Sequence, residues 1–320
     1  MLVYLLRRLG FLLVSLVVAM SVIFVLLRLL PGDPANALLS VDATPEQIAA
    51  ARAQAGSDQP LAQQFLTWAG QVARFDLGES YISTLPVAPE IASRLVVTIP
   101  LTLLSFALAL VLALLAGITA AVRADRWYGS LLSGFSQLGI AVPVFWVGII
   151  LVWVFALGLG VLPSGGFPRA DWAEPADALR SLTLPVVTIA LVMSASLARY
   201  VRTATLDVLG SDYLRTARAG GSGLGEALLR HGLRNGAVPV VAVLGIELST
   251  TLLGAVVVES VFTLPGLGSM LLTAIEQHDF ANIQGVLVVS TLFVLLVGFL
   301  ADVVQRIVDP RLRTSVSGNR

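Results

Sequence analysis

Long uncharged runs alternate with short charged segments along this chain. Residues 9–27, 95–122, 127–168, 181–198 and 281–301 contain no Asp, Glu, Lys or Arg. About 20 apolar residues in a helix cross the ~30 Å hydrocarbon core of a bilayer, so each run is span-length. A sixth candidate, 236–262, includes Glu247 and Glu259. The pattern predicts an all-α membrane protein with six transmembrane helices. The run 127–168 is longer than one span needs, and its tail LPSGGFP is loop chemistry. Its helix is expected over about 129–159, disturbed at Pro143. Residues 9–27 follow Arg7 and Arg8 as the core of a signal peptide would. They are followed by Arg28, Pro31 and Asp33 rather than a small-x-small cleavage site, which favours an uncleaved first span.

Two polar segments break the pattern. In the first, 31–94, Thr44-Pro45-Glu46 reads as a helix start with Thr at the cap and Pro at the first position. GSDQP (56–60) breaks that helix. A second, over 61–74, carries Leu61, Phe65, Trp68 and Val72 on one face. This pair of helices is either a lid on the outer helix ends or a docking surface for an external partner. The second polar segment is the insert SDYLRTARAGGSGLGEALLRHGLRN, 211–235. Residues 203–219 have helix-forming character, and GGSG ends that helix because glycine is favoured just past a helix C-terminus. Ser222 is a plausible cap for a following helix through Glu226, Arg230 and Arg234 into span five. The insert is therefore expected to be helix, sharp turn, helix.

Composition agrees and excludes several functions. The chain is 57% hydrophobic and 12% charged, with mean hydropathy +0.89, so lipid must solvate much of it. Zero net charge implies no nucleic-acid partner. The absence of cysteine removes thiolate chemistry and disulfides. All 20 basic residues are arginine. The run Gly221-Ser222-Gly223-Leu224-Gly225 has no lysine and no preceding strand, so a phosphate loop is not expected and the chain should not hydrolyse ATP itself. With the N-terminus cytoplasmic, 14 arginines fall in inside segments and 6 outside. That fits the positive-inside rule with both termini in the cytoplasm. His231 and His278 fall on opposite faces and are not expected to share a metal.

The insert also resembles a known family. Asp212-Tyr213-Leu214-Arg215-Thr216-Ala217-Arg218-Ala219, then Arg230-His231-Gly232-Leu233-Arg234-Asn235 and Pro239, is similar to the cytoplasmic EAA loop of bacterial ABC importer permeases of the dipeptide/oligopeptide/nickel branch. Gly220 stands where that branch usually has Lys, and Ser222 follows the glycines. Further pieces occur in the family's order: LLPGDP ending at Pro34, DLGESY (76–81), Arg94-Leu95 with Thr98, Pro143-Val144-Phe145, Glu259 with PGLG (265–268), and Asp309-Pro310-Arg311.

The resemblance implies the type I ABC importer permease fold in the bacterial plasma (inner) membrane. Its parts would be a first span (1–30), an extracellular helical segment (31–94), a five-helix core (95–310) carrying the coupling loop (203–235), and a cytoplasmic tail (311–320). Implied partners are a second homologous permease in a heterodimer, two ABC ATPase subunits, an extracytoplasmic substrate-binding protein and membrane lipid. The chain itself would bind no cofactor, with ATP and Mg on the ATPases. Arg215, Thr216, Ala217, Arg218, Ala219, Gly221 and Leu224 would couple to the ATPase. Di- or oligopeptides are the expected cargo, with nickel, glutathione or opines as rivals in the same class. An ATP-independent secondary transporter or channel is the rival from another class.

Ionisable groups at membrane depth are costly and functional by default. Glu247, with Ser249 and Thr250, could line the pathway and attract a peptide N-terminus or a cation; the other reading is a carboxylate paired within the bundle. Glu259 is expected near the outer end, either reaching water or capping the loop. Asp302 is expected to pair with Arg306.

Overall fold

The computed structural model describes residues 2–29, 44–54 and 58–308. The PGDP turn at 31–34, most of the break after residue 54, Asp309-Pro310-Arg311 and the tail lie outside the described residues, as do the side chains of Arg52 and Arg234. In chain order come α1 (Leu2–Leu29), α2 (Pro45–Gln54), α3 (Leu61–Val72), α4 (Val87–Val122), α5 (Trp127–Ala141) and α6 (Val144–Leu151). These are followed by α7 (Pro175–Leu209), α8 (Asp212–Ala219), α9 (Leu224–Ala227), α10 (Leu233–Val261), α11 (Leu267–Glu276) and α12 (Phe280–Val308). Among the described residues there is no β-strand, only an isolated bridge between Glu79 and Pro86.

Five helices, α1, α4, α7, α10 and α12, are long and apolar enough to cross a membrane. The expected third span is not one helix over 129–159. It comprises α5 and then α6 with a π turn (Val152–Gly158), bent by 108° at the break. The cause is local. Pro143 has no N–H to donate, and its ring drives the preceding residue out of the helical region. Val142 accordingly sits at φ −86°, ψ 124°.

The helix start at Thr44 is a complete capping box. The Gln47 N–H donates to Thr44 Oγ1 at 3.3 Å, and the Thr44 N–H to Gln47 Oε1 at 2.8 Å.

The chain forms two compact units, each assembled from distant parts of the sequence. The first comprises Met1–Thr98 and Pro265–Leu296. Its core contains Val87, Ile91, Leu267, Met270, Ala281 and Val286, with a second cluster of Leu27, Ala274, Phe280 and Ile283. Here α3 lies on α1 through aromatic contacts. The Phe24 ring is 5.5 Å from Phe65 in an edge arrangement and 5.9 Å from Trp68 in a stacked one. Leu61, expected on the same face, is exposed.

The second unit comprises Ile99–Leu264 and Val297–Arg320. At its centre is α7, the most buried of the spans. Without a hydrophobic drive between helices in lipid, close packing depends on small residues four apart. Ala109, Ala113, Gly117 and Ala121 form such a row on α4, and Ala190, Ser194 and Ala198 form one on α7. Ala109, Ala113, Ala190 and Ala198 are buried together. At Gly117 the helices touch: a Cβ there would come within 2.7 Å of both the Ala198 carbonyl and Val201 Cβ. The LPSGGFP segment is a loop as expected. A Cβ on Gly165 would lie 2.4 Å from the Phe262 carbonyl, which also accepts the Gly166 N–H at 2.8 Å.

Candidate functional site

The insert divides differently from the single 203–219 helix that its composition suggests. α7 ends at Leu209, and α8 begins at Asp212 after Gly210 and Ser211. Isolated helices as short as α8 are unstable in water, so tertiary contacts must hold it. Leu214 supplies them. It is 1% exposed and packs with Val208 and Ala227 in a small core bordered by Ala217, Leu224 and Leu228. All of these residues lie within 208–228, so the element carries its own core.

The turn after α8 closes as a Schellman motif. The Ser222 N–H donates to the Ala217 carbonyl at 3.2 Å, and the Gly221 N–H to the Arg218 carbonyl at 3.1 Å. Gly221 takes φ +94°, the left-handed region where a side chain is strained. Ser222 is not the cap of the next helix. That position is Gly223, at φ −62°, ψ 155°, without a side-chain cap hydrogen bond. The chain then passes through α9 and a π turn (Leu228–Gly232) into α10.

Of the expected coupling residues, Arg215, Thr216, Arg218, Ala219 and Gly221 are exposed. Ala217 and Leu224 are half-buried and border the small core instead. Arg215 pairs with Asp212 at 3.3 Å on an open surface. The result is a compact knuckle whose exposed face carries Arg215 and Arg218.

In the bundle of the second unit, Glu247 is half-buried and Oε1 accepts a hydrogen bond from the Ser196 hydroxyl at 2.8 Å, linking α10 to α7. The Ser249 and Thr250 hydroxyls donate to backbone carbonyls of their own helix, Gly245 and Glu247. Glu259 does not reach water. It is 0% exposed, as are Val258 and Phe262, with Leu264 at 1%. α10 ends at Val261, and the chain turns with Thr263 in the left-handed region (φ 49°) and the Leu264 N–H donating to the Glu259 backbone carbonyl at 2.8 Å.

Sequence reasoning missed Asp279 in the first unit. Asp279 is 1% exposed and precedes α12. It accepts from the Ser80 hydroxyl at 2.5 Å, the Tyr81 N–H at 3.4 Å, the Asn282 N–H at 3.4 Å and Asn282 Nδ2 at 3.0 Å. It therefore caps α12 and clasps the DLGESY segment to it. Nearby, Thr98 Oγ1 accepts the Leu267 N–H at 2.9 Å, which joins the R-L-x-x-T and PGLG sequences. The DLGESY segment is thus tied to the start of α12, and the R-L-x-x-T sequence to PGLG, by hydrogen bonds between residues far apart in sequence. Burial pushes the pKa of Tyr81 up; Arg28 opposes this and the Asp279 charge adds to it.

The family described as binding-protein-dependent transport system inner membrane component matches residues 109–314. Its N-terminal component matches residues 1–102. The chain belongs to this family. It is a multi-pass inner-membrane permease. A glutathione transport system permease protein of Escherichia coli (strain K12) is 37% identical over 313 residues, covering 98% of this chain and 99% of its own. A putative peptide transport system permease protein of Brucella abortus (strain 2308) is 39% identical over 301 residues, covering 94% and 95%. In this permease the α8 knuckle and Glu247 fall within the first matched region, and the DLGESY segment within the N-terminal one.

Proposed function

We propose that this permease forms half of the translocation pathway of an ATP-driven ABC importer for di- or oligopeptides delivered by an external binding protein. Family membership over both matched regions carries the reading, and the peptide-system relative at 39% identity supports the cargo. On this reading the bent α5–α6 pair counts as the third of six spans, and both termini are cytoplasmic, in line with the arginine distribution. The α8 knuckle seats in an ABC ATPase subunit. Its separate core supports this role, because a docking element that transmits force must keep its shape. The chain holds no ATPase site of its own; ATP and Mg are bound by two partner subunits. A second, homologous permease completes the pathway, with Glu247 and its neighbouring hydroxyls on it.

The test is co-purification followed by uptake. The tagged chain, gently solubilised, should carry a second permease, two P-loop ATPases and a binding protein. Reconstituted vesicles should then accumulate a labelled tripeptide only with ATP and binding protein, and glutathione or nickel should compete poorly. A chain that purifies alone as a stable homo-oligomer would overturn the importer reading. Preferential uptake of glutathione would overturn the cargo.

A further inference from the structure

Within the second unit, α4, α7, the start of α10 and the π turn leaving the knuckle enclose a cavity of about 420 Å³. Leu229 lines it and is 69% exposed, so the cavity has an open side. None of the expected coupling or pathway residues lines it. Of its lining side chains only Thr205 carries a polar atom, and that hydroxyl already donates to the Val201 carbonyl at 2.7 Å. Protein interiors rarely keep voids larger than a water molecule, and an apolar one stays dry. The space therefore calls for an apolar occupant.

Size, depth and charge select it. An apolar cavity of ~150 Å³ takes one benzene, so at six carbons per ~150 Å³ this one has room for about 17 carbons, one acyl chain. Leu110, Leu114 and Ile118 of α4 lie 12, 8 and 4 residues before its end at Val122. At 1.5 Å per residue those are depths of about 18, 12 and 6 Å, and one leaflet fills half of a ~30 Å core. Three stretches that continue from the lining residues each carry one excess positive charge: Arg123 and Arg126 against Asp125, Arg199 and Arg202 against Asp207, and Arg230 and Arg234 against Glu226. Basic sites between spans at the cytoplasmic face attract anionic headgroups. Other occupants suit the lining poorly. A peptide would bury its backbone against apolar walls, and the chain's own end, DPRLRTSVSGNR (309–320), holds four charges.

We propose that this cavity holds one acyl chain of an anionic phospholipid, whose phosphate is drawn to these arginines. The acyl chain fills the space between the π turn of the knuckle and three spans. The proposal rests on the membrane identity established above. The importer reading enters only in placing the cavity in the cytoplasmic leaflet.

The protein, with the subunits that accompany it, is placed in phosphatidylcholine nanodiscs holding a trace of a phospholipid with a photoactivatable tail. The headgroup of that probe is either phosphatidylglycerol or phosphatidylcholine, and labelled residues are read by mass spectrometry. The phosphatidylglycerol probe should label the lining segments of α4 and α10 about tenfold more than the phosphatidylcholine probe. Both should label Val18 of α1, which is exposed, alike. Unlabelled phosphatidylglycerol should compete the excess away, a result that needs no variant. Ile118→Trp and Val241→Trp fill the cavity and should each remove the excess, with the thermal midpoint as the folding control. Arg123→Gln combined with Arg230→Gln should bring labelling close to the phosphatidylcholine level. Equal labelling by both probes would overturn the proposal, because bulk lipid would then fill the groove. So would an excess that persists in both folded Trp variants. A lining that neither probe labels, with Val18 labelled, would also overturn it, since another part of the assembly would cover the site. ATPase subunits are scored in the same preparation, so their absence would sink the importer reading and leave the lipid result standing.

Discussion

Replacing Leu214 with Ala tests whether the α8 knuckle is held by its own small core. The side chain is 1% exposed against Val208 and Ala227. A buried Leu→Ala change costs about 2–5 kcal/mol. Eight residues of helix have little stability of their own, so that loss falls on local opening of α8. At about 3 kcal/mol, with each 1.4 kcal/mol a factor of ten, the open population rises on the order of 100-fold. The reporters are the amides of Gly220, Gly221 and Ser222, whose hydrogen bonds close the Schellman turn. Their hydrogen exchange should accelerate by about that factor, while amides in the middle of α7 keep their rates. Asp212→Asn is the matched control. It removes the Arg215 partner from an exposed pair and should change the same rates by less than about fivefold. Leu214→Ala should also reduce the ATPase recovered with the chain. Protection within about threefold of wild type would refute the reasoning, because the element would then be held by something other than Leu214.

Further outcomes follow from the packing. Asp279→Ala removes the α12 cap and the Ser80 clasp and should destabilise the detergent-solubilised protein by about 2–4 kcal/mol, read as a lower thermal midpoint; Ser80→Ala should cost clearly less, and the reverse order would refute the clasp. Gly117→Ala should cost about 1–3 kcal/mol because its Cβ meets Ala198 backbone and Val201. Gly254→Ala meets nothing within 4 Å and should be neutral or stabilising; equal midpoints would argue against the α4–α7 approach. Tyr81 holds its proton more tightly when folded than when unfolded, so the folded state binds more protons above the ordinary tyrosine pKa. Stability should be unaffected below about pH 10 and fall as pH rises past it, and Tyr81→Phe should flatten that alkaline limb in a fluorescence melt.

Hydrophobic run length was enough to place α1, α4, α7, α10 and α12, because span length is set by the bilayer and is visible one residue at a time. Pro143 marked where 127–168 is disturbed, but not that the bend reaches 108°, because a proline fixes the place of a break and not its angle. The insert was legible as helix, turn and helix from its glycines. Which residue would take the left-handed position was not, because Gly220 and Gly221 are both glycine and only the hydrogen-bond pattern distinguishes them. Ala217 and Leu224 were read as surface contacts, yet they border the small core; eight residues offer too little periodicity to mark a face. The Asp279 clasp was out of reach. Its partner Ser80 is 199 residues away, and the only local hint was His278 at φ 57°, which a sequence does not display.

The length of α7 has a mechanical side. Its 35 residues make a rod of about 52 Å, against a hydrocarbon core of about 30 Å. Roughly 20 Å of it must project beyond the apolar layer, divided between the two faces. The knuckle is attached to its C-terminal end by only Gly210 and Ser211. A rod pivoting near its far end by about 5° would move that tip by about 4–5 Å. Conversely, a displacement of one helical turn imposed on the knuckle becomes a tilt of a few degrees along α7, including at Ser196, where Glu247 is held. On the importer reading, the span would act as a lever arm, trading a large movement of the knuckle for a small one among closely packed small residues.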